Sequence, residues 1–194
     1  MAEITIVPAS PDRFADVEQA LTGGGDGASC WCQWWMLSAS QFDATTRDER
    51  HDMLRTQTEG PLAPGLIGYV DGEPAGWVKV APRTSQPRLA RTRAFAASPT
   101  PFEDETAWAV SCFVVRREHR GQGLSAALLE AALGHARANG ARLVEAYPLD
   151  TAVQKATTND LYHGSLSTFL AAGFREVARP KPNRPIVSLS LAER

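Results

Sequence analysis

The stretch that decides the fold is residues 108–126, which read WAVSCFVVRREHRGQGLSA. It begins with a nearly continuous apolar run, Trp108 to Val115, and continues with a polar segment, Arg116 to Gln122. The next segment, Gly123 to Asn139, is rich in Ala and Leu. The apolar run predicts a buried strand, and the Ala- and Leu-rich segment predicts a helix that Gly140 ends.

A second apolar run, Leu143 to Tyr147, follows that helix. Strand, helix and strand then occupy about forty residues, a length typical of a βαβ crossover. Such a crossover places its two strands side by side and parallel. We therefore expect the strands at Trp108 and Leu143 to be parallel neighbours in one sheet.

Upstream of the crossover the pattern predicts a short strand, Glu3 to Val7, and two helices. The first carries Phe14, Val17 and Leu21 at helical spacing, and the second runs from Thr45 to Glu59. A hairpin follows.

The hairpin has strands from Leu66 to Val70 and from Glu73 to Val80, because Asp71-Gly72 suits a two-residue turn. The next segment, residues 81–106, is rich in Pro and Arg and is predicted to be a surface loop.

Downstream, the pattern predicts a helix from Ser165 to Ala172 and strands near Phe174 to Arg179 and Ile186 to Leu191. The chain has 194 residues and shows no internal repeat or separate linker. We therefore expect a single α/β domain over residues 1–194, with enough length to bury a sizeable core.

The composition limits the binding partners and the cellular compartment that we expect for this protein. Twenty Lys and Arg residues against 22 Asp and Glu residues give a formal net charge of −2, so we expect neither nucleic acid nor an anionic membrane as a partner. No apolar run is long enough for a transmembrane helix, and the first residues lack the basic region of a signal peptide. We therefore expect a cytoplasmic protein.

Cysteine and histidine positions argue against a metal site. Cys30-x-Cys32 has no partner pair, and the four histidines form no ligand pattern. Cys112 lies in the apolar strand and is expected to be a packing residue. We therefore expect neither a metal ion nor a disulfide framework.

The segment Arg120 to Ala126 lies between a strand end and a helix start, where free backbone N–H groups and the positive end of the helix dipole converge. Gly121 and Gly123 let the backbone approach a phosphate closely, and Arg116, Arg117 and Arg120 add positive charge. This pattern predicts an anion-binding site.

A dinucleotide site is the alternative ligand assignment, because Gly121-x-Gly123-x-x-Ala126 fits that fingerprint and Glu145 follows at the position of a ribose-binding acid. Five polar residues separate the strand from the first glycine, however, and fewer than fifty residues follow Glu145. Fewer than fifty residues are too few for the remaining strands of a doubly wound sheet. We therefore rank the hypothesis of a dinucleotide-dependent oxidoreductase lower.

The motif Arg120-Gly121-Gln122-Gly123-Leu124-Ser125 resembles the signature of the GCN5-related N-acetyltransferases, apart from Ser125 in the last place. The order of the predicted elements is similar to that family's over essentially the whole chain. The resemblance implies a mixed, mainly antiparallel sheet that opens between the strands at Trp108 and Leu143. It also implies that acetyl-CoA binds in the opening as cosubstrate.

Carried over by position, the resemblance implies that the backbone of Phe113, Val114 and Val115 binds the pantetheine arm. The pyrophosphate would be held by the following residues: Arg120, Gly121, Gln122, Gly123, Leu124, Ser125 and Ala126. Such enzymes transfer acetyl directly to an amine within a ternary complex. We expect a small-molecule or peptide amine as acceptor, whereas the sequence leaves the oligomeric state open between a monomer and a homodimer.

The reaction needs a base for the ammonium and an acid for the leaving thiolate. Glu145 is the first candidate for the base, because strand alternation places it opposite Val144 and Ala146, which should pack under the helix. The alternative is a structural carboxylate paired with an arginine.

The acid position departs from the family pattern. The family often has Tyr four residues before the glycine of its Gly-Phe pair, and this chain has Phe169 there. Tyr162 is the candidate that can replace it, although a packed tyrosine is the alternative.

Three of the five tryptophans, Trp31, Trp34 and Trp35, lie between the first two helices. In the resembled family this region borders the acceptor pocket, and adjacent helical side chains point in different directions. We therefore predict that they help form the acceptor site, with core packing as the alternative.

The resulting hypothesis is an acetyl-CoA-dependent N-acetyltransferase acting on an unidentified primary amine. The alternative from another class is a non-catalytic domain that binds acyl-CoA as a sensor or partner module, which Phe169 makes plausible. The dinucleotide-dependent oxidoreductase ranks third.

Overall fold

The computed structural model of the chain describes residues 2–23, 25–92, 95–157 and 159–191. Within these ranges it contains seven strands: β1 (Ile4–Pro8), β2 (Leu66–Val70), β3 (Glu73–Pro82), β4 (Ala107–Val115), β5 (Leu143–Ala146), β6 (Arg175–Lys181) and β7 (Arg184–Ser190). It contains six α-helices: α1 (Phe14–Thr22), α2 (Gly27–Cys30), α3 (Ala39–Ala44), α4 (Arg47–Thr58), α5 (Leu124–Ala138) and α6 (Leu166–Ala171).

The strands form one sheet in the order β1-β2-β3-β4-β5-β7-β6. Every neighbouring pair is antiparallel except β4 and β5, which are parallel and joined through α5. The predicted mixed, mainly antiparallel sheet and its βαβ crossover are therefore confirmed. The predicted hairpin is also confirmed: Asp71 and Gly72 both have positive φ (50° and 81°), as a type I′ turn requires.

The elements that the sequence pattern missed are short. Helices α2 and α3 have only 4 and 6 residues, too few to show a helical period. The predicted loop at 81–106 starts with the end of β3, and its described part contains three short 3-10 helices, Arg83–Ser85, Leu89–Arg91 and Phe95–Ala97. Among the described residues, no helix is long and apolar enough to cross a membrane.

The two faces of the sheet carry different layers. Helix α5 packs on one face, where Val110, Val144 and Ala146 share a core cluster with its Leu128. Helices α1, α2 and α4 cover the other face over β2, β3 and β4, with Trp77 as the largest fully buried side chain. Val144 and Ala146 lie under α5 as expected. Because side chains alternate along a strand, Glu145 lies on the opposite face of the sheet.

On that opposite side, Glu145 belongs to a buried polar cluster under the 83–101 segment. Arg83 and Glu145 are both fully buried, with Arg83 Nη1 at 3.3 Å from Glu145 Oε1. Ser98 Oγ donates to Glu145 Oε2 (2.7 Å), and the Tyr147 hydroxyl donates to Oε1 (2.6 Å). Burial and the negative charge of Glu145 raise the pKa of Tyr147 well above its usual value. The cluster attaches the long connection to β5.

Arg83→Met tests this cluster. The substitution leaves the Glu145 carboxylate buried without its cation, so we expect unfolding in urea to require about 3–5 kcal/mol less free energy. The double variant Arg83→Met/Glu145→Gln removes both charges and should be less destabilised than Arg83→Met alone. A loss below about 1 kcal/mol for Arg83→Met, the typical cost of a point substitution at any site, would contradict this account.

Candidate active site

The central feature is the separation of β4 from β5. Their parallel register runs from Ala107 and Leu143 to Val110 and Ala146 and ends there, whereas β4 continues to Val115 along β3. The register of β3 and β4 shifts at Ser111, the extra residue of a β-bulge, which bends the strand. The two parallel strands therefore diverge, and the sheet opens beside the second half of β4.

A cavity of about 680 Å³ lies at this opening. All residues predicted to bind acetyl-CoA line it except Gln122: Phe113, Val114, Val115, Arg120, Gly121, Gly123, Leu124, Ser125 and Ala126. Gln122 instead donates from Nε2 to the Glu118 carbonyl oxygen at 3.4 Å. We call the part formed by Arg120 to Ala126 the loop end.

The loop end has the geometry of an anion site. Gly121 (φ 75°) and Gly123 (φ 81°) adopt left-handed conformations, and Gly123 is the N-cap of α5. A Cβ built on either glycine meets no atom within 4 Å, so the space beside the backbone is open. The first N–H groups of a helix have no intrahelical acceptor, and the N-terminus of α5 favours negative charge.

The opposite part of the cavity is aromatic. It is formed by Trp34, Trp35, Phe42 and Tyr162, which we call the aromatic end. Trp35 Nε1 donates to the Ser111 carbonyl oxygen (3.1 Å), whereas Arg120 Nε donates to that of Val115 (3.2 Å). The Ser111 and Val115 carbonyl groups lie four residues apart along β4, a distance of about 13 Å. The cavity therefore extends along β4 from the loop end to the aromatic end.

The structure separates the three predicted tryptophans. Trp34 (36 % exposed) and Trp35 (7 %) line the cavity. Trp31 packs in the core against the ring of His51 at 4.7 Å and is not among the cavity's lining residues. The reason is the left-handed backbone of Trp31 and Cys32 after α2 (φ 46° and 55°), a turn that sequence periodicity does not reveal. The acceptor role predicted for Trp31 is therefore not supported by its position.

The structure also separates the two predicted catalytic residues. Tyr162 lines the cavity, and burial raises the pKa of its hydroxyl to about 12, so the hydroxyl is protonated at physiological pH. Glu145 is held in the buried cluster with Arg83 and is not among the cavity's lining residues. Its contacts match the alternative of a structural carboxylate, and a base role would require the cluster to open.

Phe169, at the family's acid position, is fully buried. Its ring packs edge-on against Phe174 at 5.1 Å and Phe113 at 6.0 Å. This position therefore supplies core packing under the cavity and no proton.

Sequence reasoning missed the cysteines. Cys30, Cys32 and Cys112 all line the cavity, although Cys112 was expected only to pack. No local signal identifies them, because Cys112 lies on β4 and meets the segment of Cys30 and Cys32, some eighty residues earlier, only through the packing of that segment on the sheet. Within the described residues, no group of three or more His, Cys, Asp or Glu side chains could hold a metal ion.

A profile described as the Acetyltransferase (GNAT) family matches residues 30–163, more than half of the chain. The chain belongs to the acetyltransferase (GNAT) family. It is therefore an acyltransferase of a family whose cosubstrate is acetyl-CoA, and the match decides against the dinucleotide-binding alternative.

Solved structures of low sequence identity share the GNAT fold. A structure of yncA from Salmonella typhimurium with its cofactor acetyl-CoA is 15 % identical, with a TM-score of 0.58 over 98 % of this chain and 95 % of that one. The paia N-acetyltransferase from Thermoplasma acidophilum, in complex with coenzyme A, is 11 % identical, with a TM-score of 0.54 over 97 % and 99 %. An acetyltransferase from Thermus thermophilus is 15 % identical, with a TM-score of 0.55 over 97 % of each chain. No curated protein matches this chain.

The loop end of this GNAT domain fits the pyrophosphate of acetyl-CoA. The open space beside Gly121 and Gly123, the α5 N-terminus and the Arg120 side chain together supply close backbone approach and positive charge. When bound there, acetyl-CoA supplies the activated acetyl group.

Gly123→Val tests the loop end. The new side chain fills the open space at the α5 N-terminus, so we expect the rise in melting temperature caused by acetyl-CoA to disappear, because binding to the native state is lost. Gly140→Val is the matched control: Gly140 has the same left-handed backbone (φ 87°) and an equally open Cβ position, but it lies at the other end of α5. If Gly123→Val keeps the acetyl-CoA shift, the phosphate assignment is wrong.

Proposed function

We propose that this chain transfers the acetyl group of acetyl-CoA to a primary amine, by direct attack of the amine on the thioester within a ternary complex. The observation that carries the proposal is the continuous cavity, which has an anion site at the loop end and an aromatic wall at the other. A single cavity of this kind can hold both reactants with the thioester between its two ends.

The cofactor half of the proposal rests on β4 and α5. We assign the pyrophosphate to the Arg120 to Ala126 backbone and the pantetheine arm to the Phe113 to Val115 backbone, whose edge faces the opening left by β5. A main-chain N–H near Val114 is our candidate donor for the oxyanion that develops on the acetyl carbonyl.

The acceptor half rests on the aromatic end. Trp34 packs edge-on against Phe42 at 5.1 Å, and the Arg88 guanidinium stacks on Trp34 at 3.5 Å. Arg88 already supplies a cation to this indole, so we expect Trp34 to contact an apolar part of the acceptor rather than its ammonium group. This favours an amine that carries an apolar or aromatic substituent.

Tyr162 is the proposed acid. Its hydroxyl lies in the cavity wall, and its raised pKa keeps the proton in place until a thiolate develops. Glu145 is not retained as the base in this proposal, because its carboxylate already accepts hydrogen bonds from Arg83, Ser98 and Tyr147.

CoA release in the presence of amines tests the proposal. We expect turnover with primary amines that carry apolar substituents, and a fall in kcat of about 10²-fold in Tyr162→Phe, because a positioned acid contributes on that scale. The acetyl-CoA thermal shift should be retained in Tyr162→Phe, which separates loss of chemistry from loss of binding. Acetyl-CoA binding without turnover on any amine would instead favour the non-catalytic acyl-CoA sensor.

A further inference from the structure

A buried polar cluster forms part of the cavity wall and extends behind it. None of the assignments above uses this cluster. It comprises Cys32 after α2, Trp77 and Lys79 of β3, and Cys112 of β4. Lys79 and Cys112 are register partners across the β3–β4 pair. Cys32 and Cys112 line the cavity, whereas Trp77 and Lys79 are shielded from solvent behind them.

The backbone holds Cys32 in an unusual conformation. Trp31 and Cys32 are consecutive residues with positive φ, a region that costs non-glycine residues energy. The surrounding contacts hold this turn in place: Trp31 packs on His51, and the Gln33 side chain donates to the Trp31 carbonyl oxygen at 3.1 Å. The turn brings the Cys32 sulfur against the sheet.

Three groups favour a negative charge on that sulfur. Trp77 Nε1 donates a hydrogen bond to Cys32 Sγ at 2.9 Å. The neighbouring Cys112 thiol and the charge of Lys79 also act on this sulfur, and both lower its pKa. Lys79 is only 1 % exposed, and its Nζ donates to the Pro64 carbonyl oxygen at 3.3 Å. Burial lowers the pKa of Lys79, and the nearby cysteines act against that shift. A buried ammonium needs a negative partner of this kind.

The pKa values of the neighbouring thiols and of Tyr162 shift in the direction opposite to that of Cys32. The neighbouring Cys112 thiol, together with Lys79 and Trp77, lowers the pKa of Cys32 despite burial. The neighbouring Cys32, together with burial, raises the pKa of Cys112 well above its usual value. Burial and the neighbouring Cys32 raise the pKa of Cys30 to about 12, against a weaker opposite effect of Arg50. Tyr162 also keeps its proton.

We propose that Cys32 is the general base of the transfer reaction, a role that rests on the proposed function. Its thiolate takes one proton from the acceptor's ammonium, and the free amine then attacks the acetyl carbonyl. The C–S bond to CoA breaks, Tyr162 gives its proton to the departing sulfur, and Tyr162 regains a proton from the acetylated nitrogen. Cys32 releases its proton to solvent after the products leave.

The position of Cys32 favours this role over the other ionisable groups of the cavity. His119 lies beside Arg120 at the loop end, near Glu73 at 3.9 Å. Asp26 is exposed at the start of α2, where water competes for its carboxylate. Cys32 lies in the same wall as Trp35 and Cys112, and general bases work best when their pKa is near the working pH.

The first test measures the thiolate without any acyl transfer. Alkylation of Cys32 by iodoacetamide, followed by peptide mass spectrometry, should rise with pH through a midpoint below the value of about 8.5 for a free cysteine. Cys30→Ser should leave this midpoint in place, whereas Lys79→Met should raise it. A midpoint for Cys32 at or above that of a free cysteine would overturn the proposal.

The second test measures catalysis. In the wild type, kcat/KM should rise with pH through the Cys32 midpoint, because the base acts only when deprotonated. Cys32→Ser should lower kcat by about 10²-fold, lose that pH dependence and keep the acetyl-CoA thermal shift. Retained turnover with an unchanged pH profile would overturn the base role.

Two further results separate the possible failures. Accumulation of S-acetyl-Cys32 when acetyl-CoA is added without amine would overturn the base role and make Cys32 a covalent acyl carrier. A low alkylation midpoint in a protein that turns over no amine would mean that the proposed function has failed, and the base role with it, although Cys32 is a thiolate.

Discussion

The cavity exists because the parallel pairing of β4 and β5 stops at Val110 and Ala146 while β4 continues to Val115. A sheet that stayed paired would leave no room beside the second half of β4. The opening exposes a strand edge next to the N-terminus of α5, so main-chain donors and a helix dipole meet the same space. The position of the cavity, and of the backbone groups that line it, follows from this divergence.

Two buried polar clusters lie on the sheet face opposite α5, and they have different consequences. Arg83, Ser98 and Tyr147 satisfy Glu145 with hydrogen bonds and an opposite charge, which makes it a fixed structural anion. Around Cys32, the hydrogen bond from Trp77, the neighbouring Cys112 thiol and the charge of Lys79 favour an anion that also faces the cavity. An anion in contact with a substrate cavity can accept a proton, whereas a fully enclosed one cannot.

Much of the fold follows from local sequence signals. The Asp71-Gly72 turn, the Gly123 N-cap and the apolar run of β4 each depend on residues within one element, so periodicity and turn chemistry identified them. The anion site at the loop end could be predicted for the same reason, since its glycines and the first turn of α5 are contiguous in the sequence. The family resemblance added the prediction that the sheet opens between these strands.

The catalytic groups, in contrast, depend on contacts that no local pattern contains. Alternation placed Glu145 on the correct face, but its partner Arg83 lies 62 residues earlier in the chain. Cys32 meets Trp77 from 45 residues away, a pairing set by the packing of α2 on the sheet.

The most direct measurement is a crystal structure of the protein with acetyl-CoA bound. We expect the pyrophosphate within hydrogen-bond distance of the backbone N–H groups between Gly121 and Ala126. We also expect the pantetheine arm along Phe113 to Val115, with the acetyl group facing Cys32 and Tyr162. An acetyl group that points to solvent, or a cofactor bound away from the gap between β4 and β5, would contradict the central claim.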